Sequence, residues 1–598
     1  MRPSPRPIRL AALLLGTPLL LSACGGGSSG SNGGNLAAPS GFSVGYNAKS
    51  YQFSWSATPG ATRYELVEDP DGASGAQSEA TVDSTITANS YTHALAGQLL
   101  HERINATYRV RACDASGCGA YSAAITPDVS KAVGYFKASN TGRGDGFGIS
   151  VVLSADGSTM AVGAPGEASK ATGANGDQAD DTASGAGAVY VFTRQGSGWS
   201  QQAYLKASNT RLLTNERGYP YSAQFGARLA LSSDGSTLAV GAPREASNTR
   251  GVNGDQSNTD TPGAGAVYIF QRSSGAWSQQ AYMKSSNTAP VAEYRDDIAA
   301  GSYVVNAAMF GDGVALSADG RLLAVGAPGE AGNATGGGAV YVFTQGTSWT
   351  QTAYIKPGAT GHDGFGFGRA VAFSANGQTL AVSGGNSVSL FGNDGTGWSV
   401  QSVLTGSNTE FNDRFGNQVA LSADGGTLAV GAPGETSSGK GINAAPGPRS
   451  LARAGAAYVF TRSGGAWSEQ AFIKASNTDQ DDEFSHSIAL SADGNTLAVG
   501  AASEAGSSTG LAGNQADNAA GGAGAVFLFQ RSGNTWSQRS YTKASNTGAE
   551  DAFGSSVALS ADGKTLAVGA RAEDSLSTGV QGNQADNTAN NSGAVYLY

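Results

Sequence analysis

The sequence predicts an all-β protein, a β-sandwich followed by a seven-bladed β-propeller, and three observations predict it. A four-residue turn, Ser154-Ala155-Asp156-Gly157, recurs at 232–235, 317–320, 374–377, 422–425, 491–494 and 560–563, a mean spacing of roughly 68 residues. Each copy stands between apolar runs of strand length, the pattern of a hairpin. With 88 Gly and 18 Pro but only 14% charged residues, the composition favours many tight turns over charge-driven disorder. The net charge is −10 and the pI is near 5.0. No basic run is present to neutralise phosphates, so the expectation is that nucleic acid is not a partner.

Taken in order, residues 1–23 read as an export signal. Arg2, Arg6 and Arg9 precede a short apolar stretch at 10–21, and small residues follow. Leu21-Ser22-Ala23-Cys24 resembles the lipobox of bacterial lipoproteins. That resemblance implies cleavage before Cys24, acylation of its thiol and anchorage to a lipid bilayer. Gly25 stands where an Asp would mark retention, which implies an outer membrane lipoprotein, surface-exposed or facing the periplasm. Residues 24–36 are a Gly/Ser-rich tether. No other apolar run approaches the ~18 residues of a membrane span.

Residues 37–128 form the first folded unit. Phe42/Val44, Tyr51/Phe53/Trp55, Tyr64/Leu66 and Tyr108/Val110/Ala112 place apolar side chains two apart, the period of half-buried strands, which predicts an antiparallel sandwich. Trp55, Tyr64 and the run from Tyr108 to Cys113 resemble a fibronectin type III module. With Cys24 taken by lipid, Cys113 and Cys118 stand five apart across a turn. An exported chain is expected to join them as a disulfide, the alternative being two free thiols.

Residues 129–598 are the repeat. In the first unit, strands are expected at 147–153, 159–165, 187–192 and 199–206, with the Asp-Gly turn between the first two. Four antiparallel strands in each of seven units give a propeller. Trp199, Trp277, Trp349, Trp398, Trp467 and Trp536 occupy one equivalent position and read as packing residues. The seventh unit ends at 593–598 without a tryptophan strand, and 132–137 precedes the first unit. The N-terminal strand is therefore expected to complete the last blade and close the ring.

The residues now carry a family resemblance. Phe225-Gly226, Phe415-Gly416 and Phe553-Gly554, with Gly241-Ala242-Pro243 and Gly431-Ala432-Pro433, resemble the FG-GAP repeats of the integrin α-chain propeller and its bacterial relatives. Ser383-Gly384-Gly385, Ala501-Ala502-Ser503 and Ala570-Arg571-Ala572 depart from it. The Asp-x-Asp-x-Asp-Gly loops that hold calcium in integrin-type propellers are absent. A different loop recurs, and it offers carboxylate and amide oxygens: Glu167, Asp177 and Asp180; Glu245, Asp255 and Asn258; Glu504, Asn514 and Asp517; Glu573, Asn583 and Asp586. Two readings stand, calcium ligation or turns shaped by local hydrogen bonds. Asp145, Asp413, Asp482 and Asp551 precede the Phe of their units and cap a turn or join the same site. Arg143-Gly144-Asp145 spells an integrin-recognised tripeptide, but its Asp is the ordinary repeat position.

His93, His101, His362 and His486 share no motif, and no cysteine is left as a nucleophile, so no enzyme is predicted. The expected function is a non-catalytic, lipid-anchored cell-envelope binding or adhesion protein that takes a protein or glycan ligand on its propeller loops. Tyr219, Tyr221, Tyr294 and Tyr303, in insertions of the second and third units, are the candidate contacts. The alternatives are a periplasmic scaffold in envelope assembly, and a carbohydrate-active enzyme whose carboxylates pair across loops.

Overall fold

The computed structural model describes residues 36–214, 220–288, 307–330, 337–358 and 366–598. Cys24, Tyr219, Tyr294, Tyr303 and His362 lie outside the described residues, as does the expected leader. The N-terminal unit packs a three-stranded sheet (Ser43–Asn47, Ser50–Ser54, Ser90–Ala94) on a four-stranded one ordered Ala80–Ile86, Arg63–Asp69, Thr107–Asp114, Gly117–Tyr121. Inward alternation buries Tyr51, Phe53, Trp55, Tyr64, Leu66, Tyr108 and Val110 between them. The Trp55 and Tyr64 rings meet edge to face at 5.3 Å. Cys113 and Cys118 face each other across the last hairpin and are bonded.

Among the described residues, the rest of the chain forms seven antiparallel sheets built on four strands each, consecutive in the chain in all but the last, a propeller-like all-β array. In the first, Ser150–Leu153 is innermost, followed outward by Thr159–Ala164, Ala188–Gln195 and Gly198–Lys206, with a two-residue strand, Gly173–Ala174, added at the outer edge. The recurrent turn explains why the first two strands pair. Ser154 Oγ accepts the Thr159 amide at 2.9 Å and donates to Asp156 at 2.6 Å, while Gly157 takes φ +63° at the tip. Ser560 repeats both bonds in the last sheet.

The Phe-Gly pair joins one sheet to its neighbour. Phe147, Phe225, Phe310, Phe415, Phe484 and Phe553 are all buried, and Phe225 meets Tyr268 at 5.2 Å. The carbonyl of Gly226 lies so close to Gly163 of the preceding sheet that a Cβ there would sit 1.9 Å from it, which is why the second strand reads Ala-Val-Gly-Ala. In the sixth sheet the pair is Phe484-Ser485. Ser485 keeps a left-handed φ of +73°, and its hydroxyl offsets the strain by donating to Ala456 O and accepting from the Ala432 amide.

Closure is visible at two radii. The strand Gly134–Phe136 pairs with Ala594–Leu597, Tyr135 opposite Tyr596, and so supplies the outermost strand of the last sheet. Near the axis the second residue of each recurrent turn donates its amide to the next unit. Ala155 bonds Ser233, Ser233 bonds Ala318, and the path runs through Ala375, Ala423, Ala492 and Ala561 back to Ala155, every link between 2.8 and 3.1 Å. The tryptophans pack as expected: Trp199, Trp277, Trp349 and Trp536 are buried, and Trp277 and Trp536 each donate to a glutamine of the preceding sheet. The sandwich docks on the last sheet, where the buried Lys49 Nζ donates to Gln98 O at 2.9 Å and to Lys564 O at 2.7 Å.

Candidate functional site

A glutamate follows the second strand in six of the seven sheets. Glu167 is buried, and its carboxylate receives Lys206 Nζ at 2.5 Å, Tyr204 Oη at 2.7 Å and Asn140 Nδ2 at 2.9 Å. The same arrangement joins Glu245 to Lys284 and Asn209, Glu504 to Lys543, Tyr541 and Asn477, and Glu573 to Lys137, Tyr135 and Asn546. Glu435, which the sequence reading omitted, holds Lys474 at 2.6 Å and Asn408 at 2.8 Å. The lysine stands at the end of the fourth strand and the glutamate follows the second strand of one sheet, while the asparagine follows the outermost strand of the sheet before it. The cluster therefore ties consecutive sheets together. Burial pushes the Lys206 and Lys543 ammonium groups down, and the glutamate beside each pulls them back up.

Glu167, Glu245, Glu504 and Glu573, expected as calcium ligands or turn formers, each have a buried ammonium as positive partner. The loop residues shape turns instead. Asp177, Asp255, Asn514 and Asn583 each accept the amide two residues on, at 2.8–3.0 Å. Asp180 accepts the Thr182 amide and pairs with Lys170 at 3.0 Å; Asn258, Asp517 and Asp586 accept the amides of Asn248, Ser507 and Leu576. Among the described residues no three carboxylates converge in these loops. The local hydrogen bonds favour the turn reading, and the melting temperature is expected to be the same with calcium as with chelator. Asp145, Asp482 and Asp551 cap turns, each accepting the amide three residues back, and burial pushes all three up to about 7. Tyr221 lies in a two-stranded hairpin, opposite Leu213.

A different place gathers free chemistry. The residue directly after the Phe-Gly position differs in every unit: Ile149, Ala227, Asp312, Arg369, Asn417, His486 and Ser555. Six of these seven line one cavity of about 370 Å³ where the inner strands begin, together with Arg228 and Arg571. Asp312, the seventh, pairs with Arg228 at 3.0 Å. Among the described residues Arg369 and Arg571 have no ion-pair partner, and both are exposed. A second cavity of about 380 Å³ shares Arg369 and Asn417 and adds Arg414 and Phe411, whose ring is 72% exposed. The neighbouring position is structural in several units: Ser150, Ser487 and Ser556 donate to the Phe-Gly carbonyl of the next sheet at 2.6–2.7 Å.

The positions that the repeats share do not point to this cavity. The signal available was the opposite one, a single variable position inside an otherwise constant run.

Residues 398–460 and 536–598 match the FG-GAP repeat family. Each FG-GAP match begins at a tryptophan strand and ends in the third strand of the following sheet, so the family unit is offset by one strand from the sheet, as the closing strand is. Among curated proteins none matches the chain in sequence. Solved structures similar to it include the WD40 repeats of RRP9, at 11% identity and TM-score 0.42 over 78% of this chain and 97% of that one. The periplasmic gluconolactonase PpgL of Pseudomonas aeruginosa is also similar, at 12% identity and TM-score 0.38 over 81% and 98%. At these values neither supplies an activity for this chain.

Proposed function

We propose that this chain is a non-catalytic, lipid-anchored binding protein of the cell envelope. In this reading acylated Cys24 and the Gly/Ser tether hold a fibronectin type III-like module, which in turn carries a seven-bladed FG-GAP-type propeller. In this reading the binding face is the cavity at the Phe-Gly end. The observation that supports this is the contrast between constant and variable positions. The recurrent acids are spent on lysines and turns, whereas the varied position of six units lines one cavity whose Arg369 and Arg571 have no ion-pair partner among the described residues. Variation at fixed geometry is how a repeat scaffold acquires a specific surface.

Protease shaving of intact against permeabilised cells, followed with an antibody to the propeller, tests the display. Cleavage on intact cells is the expected result. Protection until permeabilisation would replace it with the envelope-assembly scaffold.

A further inference from the structure

The two cavities at the Phe-Gly end share Arg369 and Asn417 in their linings. We propose that together they bind an acidic oligosaccharide, one with carboxylates on neighbouring sugar rings. This rests on the binding role proposed above and names its ligand class.

Charge supplies the first argument. The chain is acidic overall, yet Arg228, Arg369, Arg571 and His486 face the first cavity, and Arg369 and Arg414 face the second. The acids nearby are engaged: Asp312 with Arg228, and Glu483 with His486 at 3.2 Å, with Arg453 at 3.2 Å and more loosely with Arg414 at 3.9 Å. Among the described residues that leaves the guanidinium groups of Arg369 and Arg571 without a counter-charge. A guanidinium fork matches a carboxylate bidentately, and one fork is shared by both cavities, so successive carboxylates would be held along the path.

Chemistry at the rim favours a sugar over an acidic peptide. The exposed Phe411 offers an aromatic face beside Arg414, suited to the C–H face of a pyranose ring. Asn417 and Gln418 bring side-chain amides that both donate and accept, as hydroxyl groups require. Asn417 Nδ2 is turned to His486 O at 3.3 Å, which leaves its carbonyl oxygen for a ligand hydroxyl.

The test is calorimetric titration of the full chain with hexagalacturonate, with an uncharged cello-oligosaccharide of the same length, and with poly-L-glutamate, at low and high salt. The galacturonate is expected to bind, to weaken with salt, and to lose about tenfold in affinity in Arg369→Gln and in Arg571→Gln, the loss of one charge-assisted contact. Both side chains are exposed, so the melting temperature should not move. Absence of galacturonate binding, or binding that both variants keep, overturns the site, as does equal binding of the neutral sugar. Poly-L-glutamate bound as tightly as galacturonate overturns the sugar assignment in favour of an acidic peptide. Shortened oligosaccharides after long incubation would instead overturn the non-catalytic reading and leave the site standing, so the two failures are told apart.

Discussion

A lysine with no exposed surface must have its charge answered inside the protein, and Lys206 has Glu167 at 2.5 Å for that purpose. Removing one partner strands the other in a medium that penalises bare charge. Lys206→Met is therefore expected to cost about 3–5 kcal/mol in urea unfolding, and the double variant Lys206→Met/Glu167→Leu to recover most of it. If the single variant unfolds like the parent, the pair is not structural. Both members of the cluster are visible in the sequence, one as the recurrent glutamate and the other in Lys137-Ala138-Ser139-Asn140 and its repeats. Their meeting is not visible. Lysine and glutamate stand 39 residues apart, on different strands, and periodicity says which positions recur but not which recurrent positions touch. An acid read without its counter-charge looks like a metal ligand, which is how Glu167, Glu245, Glu504 and Glu573 suggested calcium.

At the scale of elements, the strand Gly134–Phe136 and its following Lys137 form the clasp of the ring. Deleting 134–137 removes the pairing with Ala594–Leu597, exposes an edge and leaves Glu573 buried without its ammonium. The whole array is expected to melt at a lower temperature in one transition, and an unchanged melting temperature would show that closure is not what holds it. This element was legible in the sequence by counting. Six tryptophan strands serve seven turns, and a surplus strand precedes the first unit. The strand pairs within each sheet were legible for a similar reason, since Asp-Gly turns fix hairpin register. What lay beyond reading was the contact between sheets, such as Gly163 under the Gly226 carbonyl, because it depends on an approach of backbones that no side-chain pattern records.

For the molecule as a whole, four sheets carry the same buried acid; Asp413 is paired with Arg449, and the effects of the other three add. Asp145, Asp482 and Asp551 are raised by burial from the model-compound value of 3.8 to about 7. The folded state thus holds protons that the unfolded chain has released between about pH 4 and 7, so the stability these groups contribute is present at the acid end and lost as pH rises through 7. The melting temperature is expected to fall on going from pH 5 to 8, and replacing all three by Asn should flatten that slope. A slope that the triple variant retains would assign it to other groups. The cycle of amides through Ala155, Ser233, Ala318, Ala375, Ala423, Ala492 and Ala561 has a further consequence. Every peptide in it donates the same way round, so it has no free end at which a unit could be spliced in or lost. A duplicated or deleted repeat would change the radius of the hoop and disturb every sheet-to-sheet contact at once, whereas an insertion in a loop disturbs none. The hoop thus tolerates units of unequal length, as the uneven spacing of the turns shows, and resists a change in their number.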